Sequence, residues 1–226
     1  MIGRLKSELK IAGSNLYLIS AVFVVAFIFL AWFGGDLLNL SSLGFEVIFP
    51  FFTAIAVGEW GKTRADENYD VIAAQSKSLF GWVITRYVAI TGTVCVFAVV
   101  ALTAVTLIRG EMPIWEVFFI YFPTAFFLSS ISSFVGVCHT QEHIATLVCG
   151  VFWLISLMVR SLLRFPGIQY IYLFIRFAED QNGIWIINKA ILCLVSLILW
   201  GLIFLKCNMS VVIVLCRELG RKQKRA

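Results

Sequence analysis

Residues 87–108 read YVAITGTVCVFAVVALTAVTLI, a run of 22 residues without a charged side chain. A helix of about 20 apolar residues is long enough to cross the hydrocarbon core of a bilayer. The rest of the chain has the same character, since 61% of its 226 residues are hydrophobic and 14% are charged. Soluble domains have about 45–50% apolar and about 25% charged residues. The composition therefore predicts an integral membrane protein and leaves no room for a separate soluble enzyme domain.

Apolar blocks of this kind recur along the sequence and predict six transmembrane helices. The expected fold is all-α, a polytopic membrane protein with a single transmembrane domain over residues 1–226. The first, second and fifth blocks are shorter than the others, so their ends are the hardest to place. The six predicted spans are Leu16–Phe33, Leu43–Val57, Tyr87–Ile108, Trp115–Val137, Ile144–Val159 and Ile184–Leu205.

Lysine and arginine are distributed unevenly between the two sides of these spans. With the N-terminus inside, thirteen basic residues fall on the inner side and five on the outer side. Because basic residues concentrate in cytoplasmic connections, this predicts a bacterial plasma-membrane protein with both termini in the cytoplasm. The net charge of +5 is then a consequence of topology and requires no nucleic-acid partner. The outer five are Arg109, Arg160, Arg164, Arg176 and Lys189.

The two ends of the chain are basic. Residues 1–13, MIGRLKSELKIAG, place Ile2, Leu5 and Leu9 at helical spacing with charged residues between them. This pattern predicts an amphipathic helix that lies on the lipid bilayer; the alternative is a basic flank that only fixes topology. Residues 206–226 are predicted to be a basic cytoplasmic tail.

Residues 59–78 form a long polar connection between the second and third spans. Charged residues alternate there with an apolar stripe that includes Tyr69 and Ile72, which predicts a short amphipathic helix. A connection of this length favours a partner or a gating role over a simple turn, although a solvated helix without a partner remains an alternative. Its tripeptide Gly61-Lys62-Thr63 resembles the end of a phosphate-binding loop, but Ala56 stands where that loop needs its first glycine.

The stretch HTQEH at residues 139–143 lies between the fourth and fifth spans. His139, Glu142 and His143 have the spacing of an inverted zinc-peptidase motif. Catalytic zinc needs a third protein ligand, which Glu46 or a cysteine would have to supply from a distant span. A membrane-embedded zinc peptidase is therefore an alternative function.

The order of these features resembles the permease subunit of type-2 ABC exporters over the whole chain. Glu59 matches the acid that opens the family's loop after the second span, Lys62 and Arg64 match its basic cluster, and DENYDVIAA at 66–74 matches its helix. QSKS at 75–78 stands in place of the family's Pro-Ser end, and Asp66-Glu67 replaces its usual Gly-Thr.

The resemblance implies that this loop is a coupling helix that seats in a separate ABC ATPase subunit. ATP and Mg²⁺ would then be bound by the partner, with no cofactor in this chain, and this chain would not itself be an enzyme. The residues expected to contact the ATPase are Glu59, Arg64, Tyr69, Asp70 and Ile72 in the coupling loop, and His139, Glu142 and His143 in the second cytoplasmic turn.

The resemblance also implies short, part-inserted helices at residues 160–183, between the fifth and sixth spans. Arg160, Arg164 and Arg176, with Glu46, are the expected outer gate or cargo residues. The alternative is interfacial anchoring by Tyr170, Tyr172 and Trp185. Glu46 itself is expected to reach the interface or to pair with an outer arginine.

The expected function is ATP-driven export of an amphipathic or lipophilic cargo, such as a peptide, antibiotic or lipid-linked molecule, by alternating access. A second copy or a similar permease would complete the transporter. An immunity or interaction protein that works without ATP is a further alternative. The serines in the fourth span are expected to form a packing or dimer seam, because small residues let helices approach closely. They are Ser129, Ser130, Ser132 and Ser133.

Overall fold

The computed structural model describes residues 2–33, 43–66, 69, 78–109, 114–159, 163, 167–175 and 184–223. Within these ranges the regular secondary structure is entirely helical. The side chains of residues 2–13 and 209–223 lie outside this description. The elements are α1 (Ile2–Phe33), a π-helical segment (Leu43–Ile48) that runs into α2 (Phe49–Trp60), α3 (Leu79–Arg109), α4 (Ile114–Cys138), α5 (Ile144–Met158) and α6 (Ile184–Gln223).

Among the residues that the structure describes, four stretches of helix are long and apolar enough to cross a membrane: Ser14–Phe33, Leu79–Ile108, Phe118–Cys138 and Ile184–Asn208. The chain is therefore an all-helical integral membrane protein, as its composition predicts. The predicted second and fifth spans are helical too, but α2 with its π-helical segment and the apolar α5 are shorter. The count of six spans stays a prediction.

Three helices extend well beyond their predicted bounds: α1, α3 and α6. Helix α6 continues to Gln223, 18 residues past the predicted end of its span at Leu205. Helix α3 begins at Leu79, eight residues before the predicted start at Tyr87, because polar residues of its first turns are buried and bonded within the bundle. Ser78 lies before its first turn and accepts a hydrogen bond from the backbone N–H of Gly81 at 3.1 Å. Residues 2–13, predicted as a separate interfacial helix, continue directly into the first span as one helix.

Helix α4 lies at the centre of the bundle and packs against α2, α5 and α6. Its four serines are all buried, and two of them accept hydrogen bonds from neighbouring helices. Ser129 Oγ lies 2.8 Å from the Tyr87 hydroxyl of α3, and Ser130 Oγ accepts from the Trp200 indole of α6 at 3.1 Å. The predicted seam is confirmed as a packing surface, and it lies within one chain.

Gly58 in α2 permits the close approach of α5. A Cβ atom at this position would lie 2.6 Å from Thr146 Oγ1 and 3.1 Å from Ser132 Oγ. Small residues at such crossings let two backbones pack at short distance. Gly58 therefore sets the spacing between α2, α4 and α5.

We expect Gly58→Ala to destabilise the protein by about 1–3 kcal/mol, the usual cost of overpacking. The measurement is the midpoint of thermal unfolding of the detergent-purified protein, monitored by tryptophan fluorescence. Gly201→Ala in α6 is the matched control, since an added Cβ there meets nothing within 4 Å. Equal midpoints for the two variants would contradict this account of α2–α5 packing.

Candidate functional site

An ion pair lies buried inside the bundle, near the end at which α6 begins. Lys189 Nζ lies 2.5 Å from Glu46 Oε1, and both side chains are almost completely buried, with 4% and 0% exposed. The ammonium also donates to Thr124 Oγ1 at 2.8 Å and to the Leu173 carbonyl at 3.1 Å. All three ammonium protons therefore have acceptors, which a charge within a membrane protein requires.

Irregular backbone brings these acceptors together. Proline lacks an N–H, so Pro50 cannot bond to the Glu46 carbonyl as an α-helix requires, and the turn that carries Glu46 is π-helical. Thr124 follows Pro123, which lies inside the continuous helix α4 and likewise removes one backbone N–H donor from it. Indole Nε1 of Trp153 donates to the Val47 carbonyl at 3.0 Å and so gives one backbone carbonyl of the π-helical segment a hydrogen-bond donor.

The segment 167–175 is held against α6 by the residue next to Lys189. Asn188 Nδ2 donates to the Tyr172 carbonyl at 2.9 Å and to the Gln169 carbonyl at 3.2 Å. Tyr172 and the three residues after it are buried, so this part of the connection is inserted among the helices. Tyr172 therefore does not serve as an interfacial anchor, whereas Tyr170 is exposed.

Sequence reasoning named Glu46 but missed its lysine partner. The sequence places Lys189 among the outer basic residues, but it is buried within α6 and its charge is matched by Glu46. Lys189 is therefore not evidence for which side of the membrane is cytoplasmic. A lysine five residues into an apolar span was the available signal, because ionisable residues at such positions usually pair with one another. Three predicted gate residues lie outside the described residues: Arg160, Arg164 and Arg176.

We expect Lys189→Met and Glu46→Met each to destabilise the protein by roughly 3–5 kcal/mol, because each leaves one buried charge without its partner. The double variant Lys189→Met/Glu46→Met should recover most of this loss, since no uncompensated charge remains. Thermal midpoints of the purified variants measure both effects. Additive losses in the double variant would show that the two side chains act independently.

A second polar cluster lies at the opposite end of the bundle, which we call the charged end. It consists of residues 59–66, the connection 138–143 and the first turns of α3 and α5. Glu59 accepts hydrogen bonds from His143 Nδ1 at 2.9 Å and from Thr146 Oγ1 at 2.7 Å. Lys62 Nζ lies 3.1 Å from Glu142 Oε2. These contacts join the C-terminal end of α2 to the connection before α5.

Two arginines attach residues 61–66 to other helices. Arg86 of α3 donates to Asp66 Oδ2 at 2.9 Å and to the Lys62 carbonyl, and its guanidinium lies 4.7 Å from the ring centroid of Trp82. The Arg64 guanidinium donates to the Cys138 carbonyl at 3.3 Å, where α4 ends. The segment that follows α2 is therefore bound to both α3 and α4.

The pKa of the Glu59 carboxyl, at the charged end, is shifted from its ordinary value. Burial raises the pKa of this carboxyl, but hydrogen bonds from His143 and Thr146 and the charges of His143 and Lys62 outweigh it. The net result is a pKa below the ordinary value of 4.5. Glu59 is accordingly a carboxylate at neutral pH, suited to bind a cation or an N–H donor.

The predicted coupling residues have different positions in the structure. Glu59 and Arg64 bond to the protein itself, as described, and Tyr69 is half-buried and packs near Leu79 and Val83 of α3. Asp70 and Ile72 lie outside the described residues. His139, Glu142 and His143 are exposed, as a surface that meets a partner requires.

The zinc-peptidase pattern does not adopt helical geometry. Residues 139–143 form a turn, and His143 has a left-handed φ of 61°. Two histidines four residues apart share a metal when both lie on one face of a helix, and His143 instead bonds to Glu59. Among the described residues, no three His, Cys, Asp or Glu side chains are grouped to hold a metal ion. Gly61-Lys62-Thr63 follows helix α2, whereas a phosphate-binding loop follows a strand.

The charged end should lose stability in acid. Because the folded-state pKa of Glu59 lies below 4.5, its carboxylate stabilises the fold fully above that pH and loses this contribution as the pH falls through the folded-state value. We expect the midpoint difference between wild type and Glu59→Gln to shrink as the pH falls below 4.5, because protonation of Glu59 removes its pairing with His143 and Lys62. Thermal melts over a pH series measure this. A midpoint difference that grows below pH 4.5 would show that protonation of Glu59 stabilises the fold, which contradicts this prediction.

Comparison with protein-family models, with curated proteins and with solved structures finds no match for this chain.

Proposed function

We propose that this chain is the membrane-spanning subunit of an ATP-driven exporter of the type-2 ABC class. The observation that carries the proposal is the charged end. Two polar connections, residues 61–66 and 139–143, meet there and are joined by the contacts of Glu59 with His143 and of Lys62 with Glu142. A simple bundle of spans does not require two cross-linked connections that present exposed charge on one surface.

Contacts at the charged end allow one partner to act on four helices. Glu59 ends α2 and is bonded to Thr146 in α5, while Arg64 bonds to the end of α4 and Arg86 of α3 bonds to Asp66. Movement of the segment that contains residues 61–66 would therefore displace all four helix ends together. Packed helices respond to such a displacement by tilting or sliding as units.

The remaining parts of the proposal rest on the resemblance to that permease family and on the distribution of basic residues. ATP and Mg²⁺ would be bound by a separate ATPase subunit at the charged end, which the distribution of basic residues assigns to the cytoplasm. The chain would pair with a second copy or a similar permease, and six spans per chain would form the pathway. The cargo would be amphipathic or lipophilic and would move by alternating access.

The test is purification of the full chain in mild detergent from its native membrane. We expect a P-loop ATPase, identified by mass spectrometry and by ATP hydrolysis, to co-purify with the wild type. Glu142→Lys reverses the charge of an exposed side chain at the charged end, 57% accessible, and should reduce recovery of the ATPase at least several-fold.

Glu116→Lys is the matched control, because Glu116 lies in the first turn of α4 at the opposite end of the bundle. It should leave the ATPase bound. Thermal midpoints of both variants separate loss of a partner from loss of fold. The absence of any ATPase from the wild-type preparation, or its equal loss in the two variants, would reject the exporter function.

A further inference from the structure

Segment 167–175 lies partly on the surface of the bundle and partly inside it. Ile171 is 71% exposed, whereas each of the next four side chains, residues 172–175, is at most 4% exposed. These four pack in one apolar cluster with residues of the π-helical segment, α4, α5 and α6. We call segment 167–175 the strap, because its outer half crosses the surface while its inner half is held between these elements.

The strap lies against the buried ion pair. Its Leu173 carbonyl accepts from Lys189 Nζ at 3.1 Å, and the neighbouring Asn188 donates to two further strap carbonyls. Lys189 comes five residues after Ile184, where both α6 and its apolar span begin, a distance of about 7.5 Å along the helix axis. Water at the membrane surface therefore has a short path to the ammonium once the strap moves away.

Lys189 depends on Glu46 for compensation of its charge. Among the described residues, Glu46 is the one charged acceptor of the ammonium, since Thr124 Oγ1 and the Leu173 carbonyl are neutral. Without the Glu46 charge, the buried ammonium recovers a favourable environment only when water reaches it. Of the elements that contact it, the strap is the one that is not part of a long helix, so its displacement disturbs the least helix packing.

Asn188 offers entering water a second partner. Both protons of its Nδ2 group are bound to strap carbonyls, while its Oδ1 atom is buried and has no hydrogen-bond partner within the described part of the chain. A buried acceptor in this state costs free energy that one water molecule can recover. Hydration of this turn of α6 is therefore opposed mainly by the closed strap.

We propose that the Glu46–Lys189 pair holds the strap closed, and that removal of the Glu46 charge opens the strap and admits water to Lys189. A movement of α2 that separates Glu46 from Lys189 has the same effect, so the pair links helix movement to opening of this end of the bundle. With neither charge present the strap stays closed, because a neutral interior does not require water. The inference needs only the pair and the strap and does not depend on the exporter proposal.

The experiment is hydroxyl-radical footprinting of the full chain in lipid nanodiscs, with oxidised residues identified by mass spectrometry. Tyr172 and Phe174, 4% and 0% exposed, report on the inner half of the strap, and Tyr170, 39% exposed, is the reference on its outer half. Tyr87, 9% exposed in another part of the bundle, reports on global unfolding. In the wild type we expect oxidation of Tyr170 and protection of the other three. Oxidation of Tyr172 as fast as Tyr170 would show that the strap is not closed and overturn the proposal.

Glu46→Met should raise the oxidation of Tyr172 and Phe174 about ten-fold, while Tyr170 and Tyr87 keep their wild-type rates. A ten-fold change corresponds to about 1.4 kcal/mol, less than the cost of leaving a buried charge without its partner. Unchanged protection of Tyr172 would overturn the proposal. An equal rise at Tyr87 would show that the whole bundle opens at once, and would reject the strap as a separate device.

Glu59→Met is the matched control, because it removes a carboxylate from the charged end. It should leave Tyr172 and Phe174 protected. A rise as large as that of Glu46→Met would show that the strap responds to any lost ion pair, which contradicts the assigned role of Lys189.

The double variant Glu46→Met/Lys189→Met separates the charge of Lys189 from its hydrogen bonds. It also lacks the bond from Lys189 to the Leu173 carbonyl, so a strap held by contacts alone would open at least as far as in Glu46→Met. The proposal instead predicts that protection of Tyr172 returns close to the wild-type level. Oxidation as high as in the single variant would show that lost contacts, and not an uncompensated charge, open the strap.

Discussion

The buried amine of Lys189 determines how the elements pack together at the end of the bundle where α6 begins. Three acceptors must surround it at 2.5–3.1 Å, and they come from the π-helical segment before α2, from α4 and from segment 167–175. An unpaired charge inside a membrane protein is expensive, so these elements cannot separate without a large loss of free energy. The two proline interruptions and the buried connection are consistent with this single requirement.

The two ends of the bundle differ in how they are held together. The Lys189 pair is almost completely buried, whereas the contacts of Glu59 and Lys62 at the charged end involve partly exposed groups. Exposed ion pairs contribute about 0–1 kcal/mol each, and they rearrange at low cost. The end that contains Lys189 is therefore rigid, while the contacts at the charged end can rearrange. This combination suits a protein in which an event at one surface changes the packing of helices.

Between these ends, α4 combines packing with polar contacts. Its serines accept hydrogen bonds from α3 and α6 and at the same time donate to carbonyls of their own helix. These serines donate to the carbonyl four residues earlier, as serine and threonine hydroxyls commonly do in helices.

By itself the sequence determined the membrane character, the helical class and the approximate positions of the apolar helices that the structure describes, because apolar length is a local property that decides whether a helix can cross a bilayer. It also identified Glu46, Glu59 and His143 as residues to explain. Only the tertiary structure decided that Glu46 meets Lys189, 143 positions away, and that Glu59 meets His143, 84 positions away. Such pairings depend on how helices pack, and no local pattern encodes the separation between partners.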